Sequence, residues 1–100
     1  MGGIEGIQSF GNKGTEDIFY GDNTKKARNT IPRDLHGKAR EIMDALNRGS
    51  SPMSLTIYDP EPLTNYQHWY SLRINRQYRV VCCWDHENNE AFQVEAMDYH

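Results

Sequence analysis

The last third of the chain carries three successive strand patterns, which restrict the possible folds more than any other feature. Tyr70, Leu72 and Ile74 alternate with polar residues, as is typical of a strand with one buried face. Residues 78–84 form a second run, rich in β-branched and aromatic side chains, and residues 92–96 alternate again. Short polar segments separate the three runs. The sequence therefore predicts an antiparallel meander of three strands.

Two helices are predicted before this sheet. Residues 15–17 (Thr-Glu-Asp) are typical of a helix start, because a hydroxyl cap is followed by acids, and Gly21 is typical of a helix end. A second helix is predicted from Pro32 to Gly49, since apolar residues recur there at helical spacing. The polar and basic residues 22–30 between them are predicted to form a surface loop.

The order of these elements defines the predicted fold class. Residues 1–6 contain three glycines and are expected to form a flexible lead-in. Residues 7–100 are expected to form a single domain that opens with an edge strand at residues 7–10. Two N-terminal helices packed on a mostly antiparallel sheet make an α+β fold.

Composition limits the classes of function. No apolar run approaches the roughly 20 residues that cross a bilayer, and the N-terminus lacks a signal-peptide pattern, so no membrane contact is expected. Cys82 and Cys83 are adjacent in a predicted strand and should face opposite ways, which indicates reduced packing residues in a cytoplasmic protein. The net charge is −3, but residues 24–48 carry seven basic against three acidic residues, a local balance of +4.

Three arginines and a terminal tyrosine–histidine pair form the main candidate site. Arg73, Arg76 and Arg79 lie on or beside two predicted strands, and Tyr99 and His100 close the third. Guanidinium groups match the geometry of phosphate oxygens, while a phenol and an imidazole can stack on bases and transfer protons. This combination indicates binding and cleavage of a phosphodiester.

Four stretches of the chain carry a family resemblance. SFGNKGTEDIFYGDNTKKA, REIMDALN, YSLRINRQYRVVCCW and VEAMDYH together resemble the HigB-like branch of the RelE/ParE toxin superfamily, and SLRIN-x-QYR and the closing DYH are the most specific pieces. The resemblance runs from about residue 7 to the last residue. It implies a microbial-ribonuclease-like fold and a type II toxin that cleaves mRNA in the ribosomal A site. Such toxins use the substrate's own 2′-hydroxyl as nucleophile and need neither a metal nor a cofactor.

The resemblance also implies roles and partners. The residues expected to take part in catalysis are Arg73, Arg79, Tyr99 and His100, and those expected to bind substrate are Arg76, His68, Lys25 and Lys26. The expected partners are the 70S ribosome, its mRNA and a cognate antitoxin, a HigA-like helix-turn-helix protein. Contact with DNA is expected only through that antitoxin.

One departure from the family pattern supports a second hypothesis. Many relatives carry a His-x-Leu-Lys-Gly-like segment before the middle strand, whereas residues 59–64 here read Asp-Pro-Glu-Pro-Leu-Thr. His68 lies downstream as a candidate substitute. The alternative is therefore a catalytically weak or inactive toxin-fold protein that binds the antitoxin and acts as a co-repressor.

Other interpretations of single residues stay open. Arg79 could pair with a carboxylate such as Glu95 across the sheet. A metal site built from Asp85, His86, Asp98 and His100 lacks a recognised ligand spacing. A nucleophilic role for Cys83 is weaker still, because its neighbours indicate a buried strand.

Overall fold

Helices precede strands along the described part of the chain, residues 5–99 of a computed structural model. The helices are α1 (Lys13–Tyr20), α2 (Lys25–Thr30) and α3 (His36–Asn47). The strands are β1 (Glu61–Pro62), β2 (Trp69–Arg73), β3 (Tyr78–Asp85) and β4 (Glu90–Asp98). Short 3-10 turns at Arg33–Leu35, Pro52–Ser54 and Thr56–Tyr58 complete the chain between them. No helix in residues 5–99 has the length and apolar character needed to span a membrane.

The strands form one sheet in the order β1-β2-β3-β4, and each strand runs antiparallel to its neighbour. The predicted meander and the α+β fold class are therefore confirmed. The edge strand expected at residues 7–10 is reduced to two isolated parallel bridges, which join Ile7 to Ala91 and Phe10 to Val94. This segment covers the outer edge of the first half of β4.

The core lies between the helices and one face of the sheet. Its largest fully buried side chains include Ile18, Ile42, Leu46, Leu72 and Trp84. Burying a Leu or Ile side chain contributes roughly 1.5–3 kcal/mol, so this layer is the main source of stability. Among residues 5–99 no helix packs on the other face of the sheet, which we call the open face.

The start of α1 differs from the prediction. Asn12, not Thr15, caps the helix, because its Oδ1 accepts a hydrogen bond of 2.8 Å from the backbone N–H of Thr15. Thr15 is fully buried, and its Oγ1 accepts a 3.0 Å hydrogen bond from the backbone N–H of Ala96 in β4. Gly21 ends the helix as predicted, with a φ of 80°.

The loop predicted at residues 22–30 was wrong, because this segment contains α2. Thr24 caps the helix by accepting a 3.1 Å hydrogen bond from the N–H of Ala27, the one buried residue of its six. The Thr24 hydroxyl also donates to Asp17 Oδ2 at 2.6 Å. Gly14 of α1 lies so close to α2 that a Cβ there would overlap the Thr30 hydroxyl.

α3 begins later than predicted and ends as expected. Pro32 stands before the 3-10 turn Arg33–Leu35, so the α-helix starts only at His36. Gly49 follows its end with a φ of 91°. Asn47 Oδ1 accepts 3.0 Å hydrogen bonds from the N–H groups of residues 5, 6 and 7. The flexible lead-in predicted for residues 1–6 otherwise lies outside the described residues and stays a prediction.

One irregularity divides β4. Val81 pairs with Glu95 and Cys83 pairs with Phe92, so the partner strand holds one residue more than β3 across this interval. Gln93 takes a φ of 52° there, as is typical of a β-bulge. Because of the extra residue, Ala91 and Val94 are both buried.

Candidate functional site

Two arginines stand side by side on the open face. Arg73 of β2 is the direct partner of Arg79 of β3, and Met97 of β4 pairs with Arg79 in the same cross-strand row. Directly opposed side chains in an antiparallel pair lie about 4.5–5.5 Å apart at Cβ. Two positive charges are therefore concentrated at one place on the sheet.

The two guanidinium groups have different partners. Arg79 Nη1 donates to the backbone carbonyls of Asn75 at 2.5 Å, Arg76 at 3.2 Å and Tyr78 at 3.2 Å. All three acceptors are neutral, and the other two nitrogens of this guanidinium take part in none of these bonds. Arg73 Nη2 instead forms an ion pair of 3.2 Å with Asp59 Oδ2.

Tyr99 lies against Arg79. The guanidinium carbon of Arg79 is 5.3 Å from the centre of the Tyr99 ring, within the range of a cation–π contact. The Tyr99 N–H donates to the Gln77 carbonyl at 3.0 Å, and Gln77 Nε2 donates to Asp98 Oδ2 at 2.8 Å. The β2–β3 turn, which also contains the exposed Arg76, thereby holds the end of β4 in place.

An apolar groove continues from this point across the open face. It has a volume of about 420 Å³, and the residues that line it are Leu63, Tyr66, Trp69, Val81, Met97 and Tyr99. Tyr66 is 64% exposed and Tyr99 40% exposed, unusually high for large aromatic side chains. Exposed aromatic rings beside cations are suited to stacking on unpaired bases while the cations contact phosphates.

Two glutamates belong to one cross-strand row of the open face: Glu95, considered above as a partner of Arg79, and Glu61, for which no role was predicted. Glu61 of β1 pairs with Ser71 of β2, and Ser71 pairs with Val81, which lines the groove. Glu61 therefore belongs to the cross-strand row next to that of the two arginines. The Glu61-Pro62 step was the available signal, since a residue before proline favours an extended conformation.

The structure does not bring His68 to the arginines. His68 precedes β2 and lies five positions before Arg73, which corresponds to about 16 Å along a strand. Its carbonyl accepts a 2.8 Å hydrogen bond from the Trp84 N–H, and its ring centre is 5.9 Å from that of His86. His68 thus lies with His86 at the opposite end of the sheet.

The two predicted lysines lie on α2. Both are exposed, and Lys26 lines a polar cavity of about 540 Å³ whose other wall includes Met97 and Asp98. Lys26 therefore approaches the end of β4 from the helical side, whereas Lys25 does not line this cavity. His100 lies outside the described residues, so its predicted role stays a prediction.

The other interpretations of single residues can be compared with the geometry. Within residues 5–99, no ion pair joins Arg79 to Glu95, and no group of three His, Cys, Asp or Glu side chains could hold a metal. Asp85 instead accepts hydrogen bonds from the Asn88 side chain and the Glu87 N–H, and these lower the pKa of its carboxyl. Burial raises the pKa of Cys82 to about 12.

Comparison with known proteins identifies the family. The sequence model of the ParE-like toxin domain matches residues 33–96, which include α3 and nearly all of the sheet. The chain belongs to the ParE-like toxin domain family. A search of curated proteins gives no match.

Solved structures agree with this fold. The chain is similar to the YoeB dimer from Staphylococcus aureus, with 24% identity and a TM-score of 0.61 over 98% of this chain and 99% of that chain. Two YoeB–YefM structures from the same organism, one described as a heterotetrameric toxin–antitoxin complex, give 24% identity and a TM-score of 0.60 over the same shares. These structures show the fold, while the family model confirms the predicted resemblance at the level of ParE-like toxins. Membership of the HigB-like branch stays a prediction.

Proposed function

We propose that this protein is the toxin of a type II toxin–antitoxin pair and acts as a ribosome-dependent mRNA endonuclease. The observation that carries the proposal is the row of Arg73 and Arg79 beside Tyr99 and the aromatic groove. This arrangement offers cations for a phosphate and rings for a splayed base on one open surface. Membership of the ParE-like toxin family supports the toxin role.

The proposed reaction transfers the phosphorus from the 5′-oxygen to the 2′-oxygen of the neighbouring nucleotide. The 2′-oxygen of the substrate attacks the adjacent phosphorus, the bond from phosphorus to the 5′-oxygen breaks, and the products are a 2′,3′-cyclic phosphate and a 5′-hydroxyl. A base takes the proton of the 2′-hydroxyl and an acid gives a proton to the leaving 5′-oxygen. Arg79 and Arg73 stabilise the charge that grows on the phosphoryl oxygens. No metal or other cofactor enters these steps.

The base and the acid are assigned on different grounds. We propose Glu61 as the base, because it belongs to the cross-strand row beside the arginines and no ion pair among residues 5–99 engages its carboxylate. We propose His100 as the acid on the resemblance alone. Tyr99 then orients the nucleotide by stacking, and Arg76 in the adjacent turn contacts the flanking phosphate.

The second candidate function is a binding module without useful cleavage. The Asp59–Arg73 ion pair favours it, because a carboxylate is already bound to one of the two arginines that would contact the phosphate. The position of His68 at the far end of the sheet favours it as well. In that role the protein would bind its antitoxin and act mainly at their operator.

The partners of this protein are proposed by analogy. The similar YoeB structures include complexes with the antitoxin YefM. We propose that a cognate antitoxin binds this chain as well, that a HigA-like helix-turn-helix protein fills this role, and that both act in the cytoplasm, where ribosomes are found.

Cleavage of mRNA on programmed ribosomes tests the proposal. The native protein would be compared with Arg79→Ala, Glu61→Gln and a chain that ends at Tyr99. Arg33→Ala is the matched control, because Arg33 is an exposed arginine in the turn before α3. Each site variant should lose at least about tenfold in rate, as is typical of removing a transition-state contact or a proton-transfer group, and the control should not.

Two other results would change the conclusion. If the folded native protein binds the antitoxin encoded beside it but does not cleave mRNA, the protein acts as a binding module. Full activity of Arg79→Ala would show that the cleavage site lies elsewhere on the molecule.

A further inference from the structure

Within the described residues, an ion pair compensates the charge of only one of the two arginines. Like charges placed directly opposite each other on neighbouring strands repel, and Arg73 and Arg79 occupy such positions. Asp59 reduces the local charge by pairing with Arg73, whereas the hydrogen bonds that Arg79 makes among residues 5–99 go to neutral carbonyls. One guanidinium of the pair is thus already bound to an anion that belongs to the protein itself.

The backbone holds Asp59 in an uncommon conformation. Its φ of 49° and ψ of 58° lie in the left-handed region, although it directly precedes Pro60, and a residue before proline normally prefers an extended backbone. A non-glycine residue in this region persists only when the surrounding structure imposes it, and such residues cluster at ligand clamps and switches.

The segments on both sides of Asp59 are anchored. On one side lies the 3-10 turn Thr56–Tyr58, where the Thr56 carbonyl accepts a 3.2 Å hydrogen bond from the Asp59 N–H. The hydroxyl of the buried Tyr58 donates to Glu41 Oε2 at 2.8 Å. On the other side Pro60 leads into β1, which pairs with β2. The carboxylate of Asp59 is therefore presented to Arg73 by a fixed frame.

We infer that Asp59 is an internal competitor for the phosphate, and that single-stranded RNA binds the arginine pair by displacing the Asp59 carboxylate from Arg73. The inference rests on the proposed function, because it takes the pair to be the phosphate-binding site. The side chains of Arg73 and Asp59 are 45% and 59% exposed, and ion pairs this exposed are weak enough to exchange. Asp59 contacts Arg73 and not the RNA, so it affects RNA affinity through the availability of the Arg73 guanidinium.

Binding of an uncleavable ligand measures this competition directly. The probe is a fluorescein-labelled pentanucleotide of RNA whose 2′-hydroxyls are replaced by 2′-O-methyl groups, and its binding is followed by fluorescence anisotropy at low and physiological salt. Asp59→Asn, which keeps the side-chain shape and tolerates the left-handed region, should bind about threefold to tenfold more tightly than the native protein. The gain should shrink at the higher salt concentration.

Two further variants separate competition from a general charge effect. Asp34→Asn removes the same charge from an exposed aspartate in the turn before α3, and it should change affinity by less than about twofold. Arg73→Ala should abolish the effect, so that adding Asp59→Asn to it gives no further gain. On ribosomes Asp59→Asn should lower KM and leave kcat unchanged.

Several results would overturn the inference. Affinity of Asp59→Asn equal to or weaker than that of the native protein would mean that Asp59 only orients Arg73. A gain that persists in the Arg73→Ala background would assign the effect to general charge. If Asp59→Asn does not fold, Asp59→Gly serves as a second variant, because glycine also adopts the left-handed backbone conformation.

The same measurements distinguish this inference from the proposed function. Tighter binding by Asp59→Asn in a protein that never cleaves mRNA would support the competition and overturn the ribonuclease. An active ribonuclease with unchanged binding would overturn the competition alone.

Discussion

Replacement of Thr15 by valine should destabilise the protein through one lost hydrogen bond. Valine has the shape of threonine, so Thr15→Val removes the acceptor of the Ala96 N–H while preserving the packing. Ala96 is 1% exposed and Thr15 fully buried, which leaves no water to take the place of the hydroxyl. A buried donor without a partner costs about 1–3 kcal/mol, and this is the expected decrease in the free energy of unfolding.

Thermal and urea unfolding, followed by circular dichroism, would measure this loss. For a domain of this size each kcal/mol lowers Tm by roughly 4–8 °C, so the effect is well above experimental error. Thr15→Ser keeps the oxygen but removes a buried methyl group, at a cost of about 1 kcal/mol. Ser54→Ala is a control, because the exposed Ser54 donates a hydrogen bond outside the core, to the Ser51 carbonyl, and its loss should cost less than about 0.5 kcal/mol.

Hydrogen exchange locates the effect. The amide of Ala96 should exchange faster relative to the rest of the sheet in Thr15→Val and keep its protection in Thr15→Ser. If Thr15→Val were as stable as the native protein, or more stable than Thr15→Ser, the hydrogen bond would contribute nothing and the reasoning would be refuted.

Two further predictions concern ionisable side chains. The hydrogen bond from Thr24, with the nearby Lys13, lowers the pKa of Asp17 below its usual value of 3.8. The ionised carboxylate therefore stabilises the fold above that value, and this contribution is lost as the pH falls through the lowered pKa. Urea unfolding from about pH 6 to pH 2.5 should show a smaller decrease in stability for Asp17→Asn than for the native protein, and equal decreases would contradict this. Burial raises the pKa of Cys82 to about 12, so iodoacetamide at about pH 8 should alkylate only Cys83 in the folded protein. Mass spectrometry of the peptides would show which cysteine is modified. Modification of Cys82 without unfolding would contradict its burial.

The sheet was predictable and α2 was not, for a physical reason. Alternation identifies a half-buried strand without knowledge of its neighbours, and it predicted β2 and β4. β3 was predicted from its run of β-branched and aromatic residues, which is also a local signal. α2 buries only Ala27, so no apolar stripe marks it in the sequence. Its stability depends on the Thr24 cap and on the close approach of Gly14, and the latter is a tertiary contact.

The candidate site shows the same division. Arg79 and Tyr99 were predicted together and lie in contact. The distant position of His68 depends on which strand end faces the arginines, and sequence spacing does not contain that information. The positions of Glu61 and Asp59 beside the arginines were not predicted, because they follow from the pairing of β2 with β1, and β1 has only two residues.

The extra residue at the Gln93 bulge serves the N-terminal segment and not the candidate site. That segment bridges to Ala91 before the bulge and to Val94 after it, and the Gln93 N–H donates a 2.8 Å hydrogen bond to Ser9 Oγ. Deletion of Gln93 would restore regular alternation along β4, so Ala91 and Val94 would stay in the core and Met97 on the open face. Arg79 would keep its neighbours on β4, and the loss would fall on the contacts that hold the N-terminal segment against the edge of the strand.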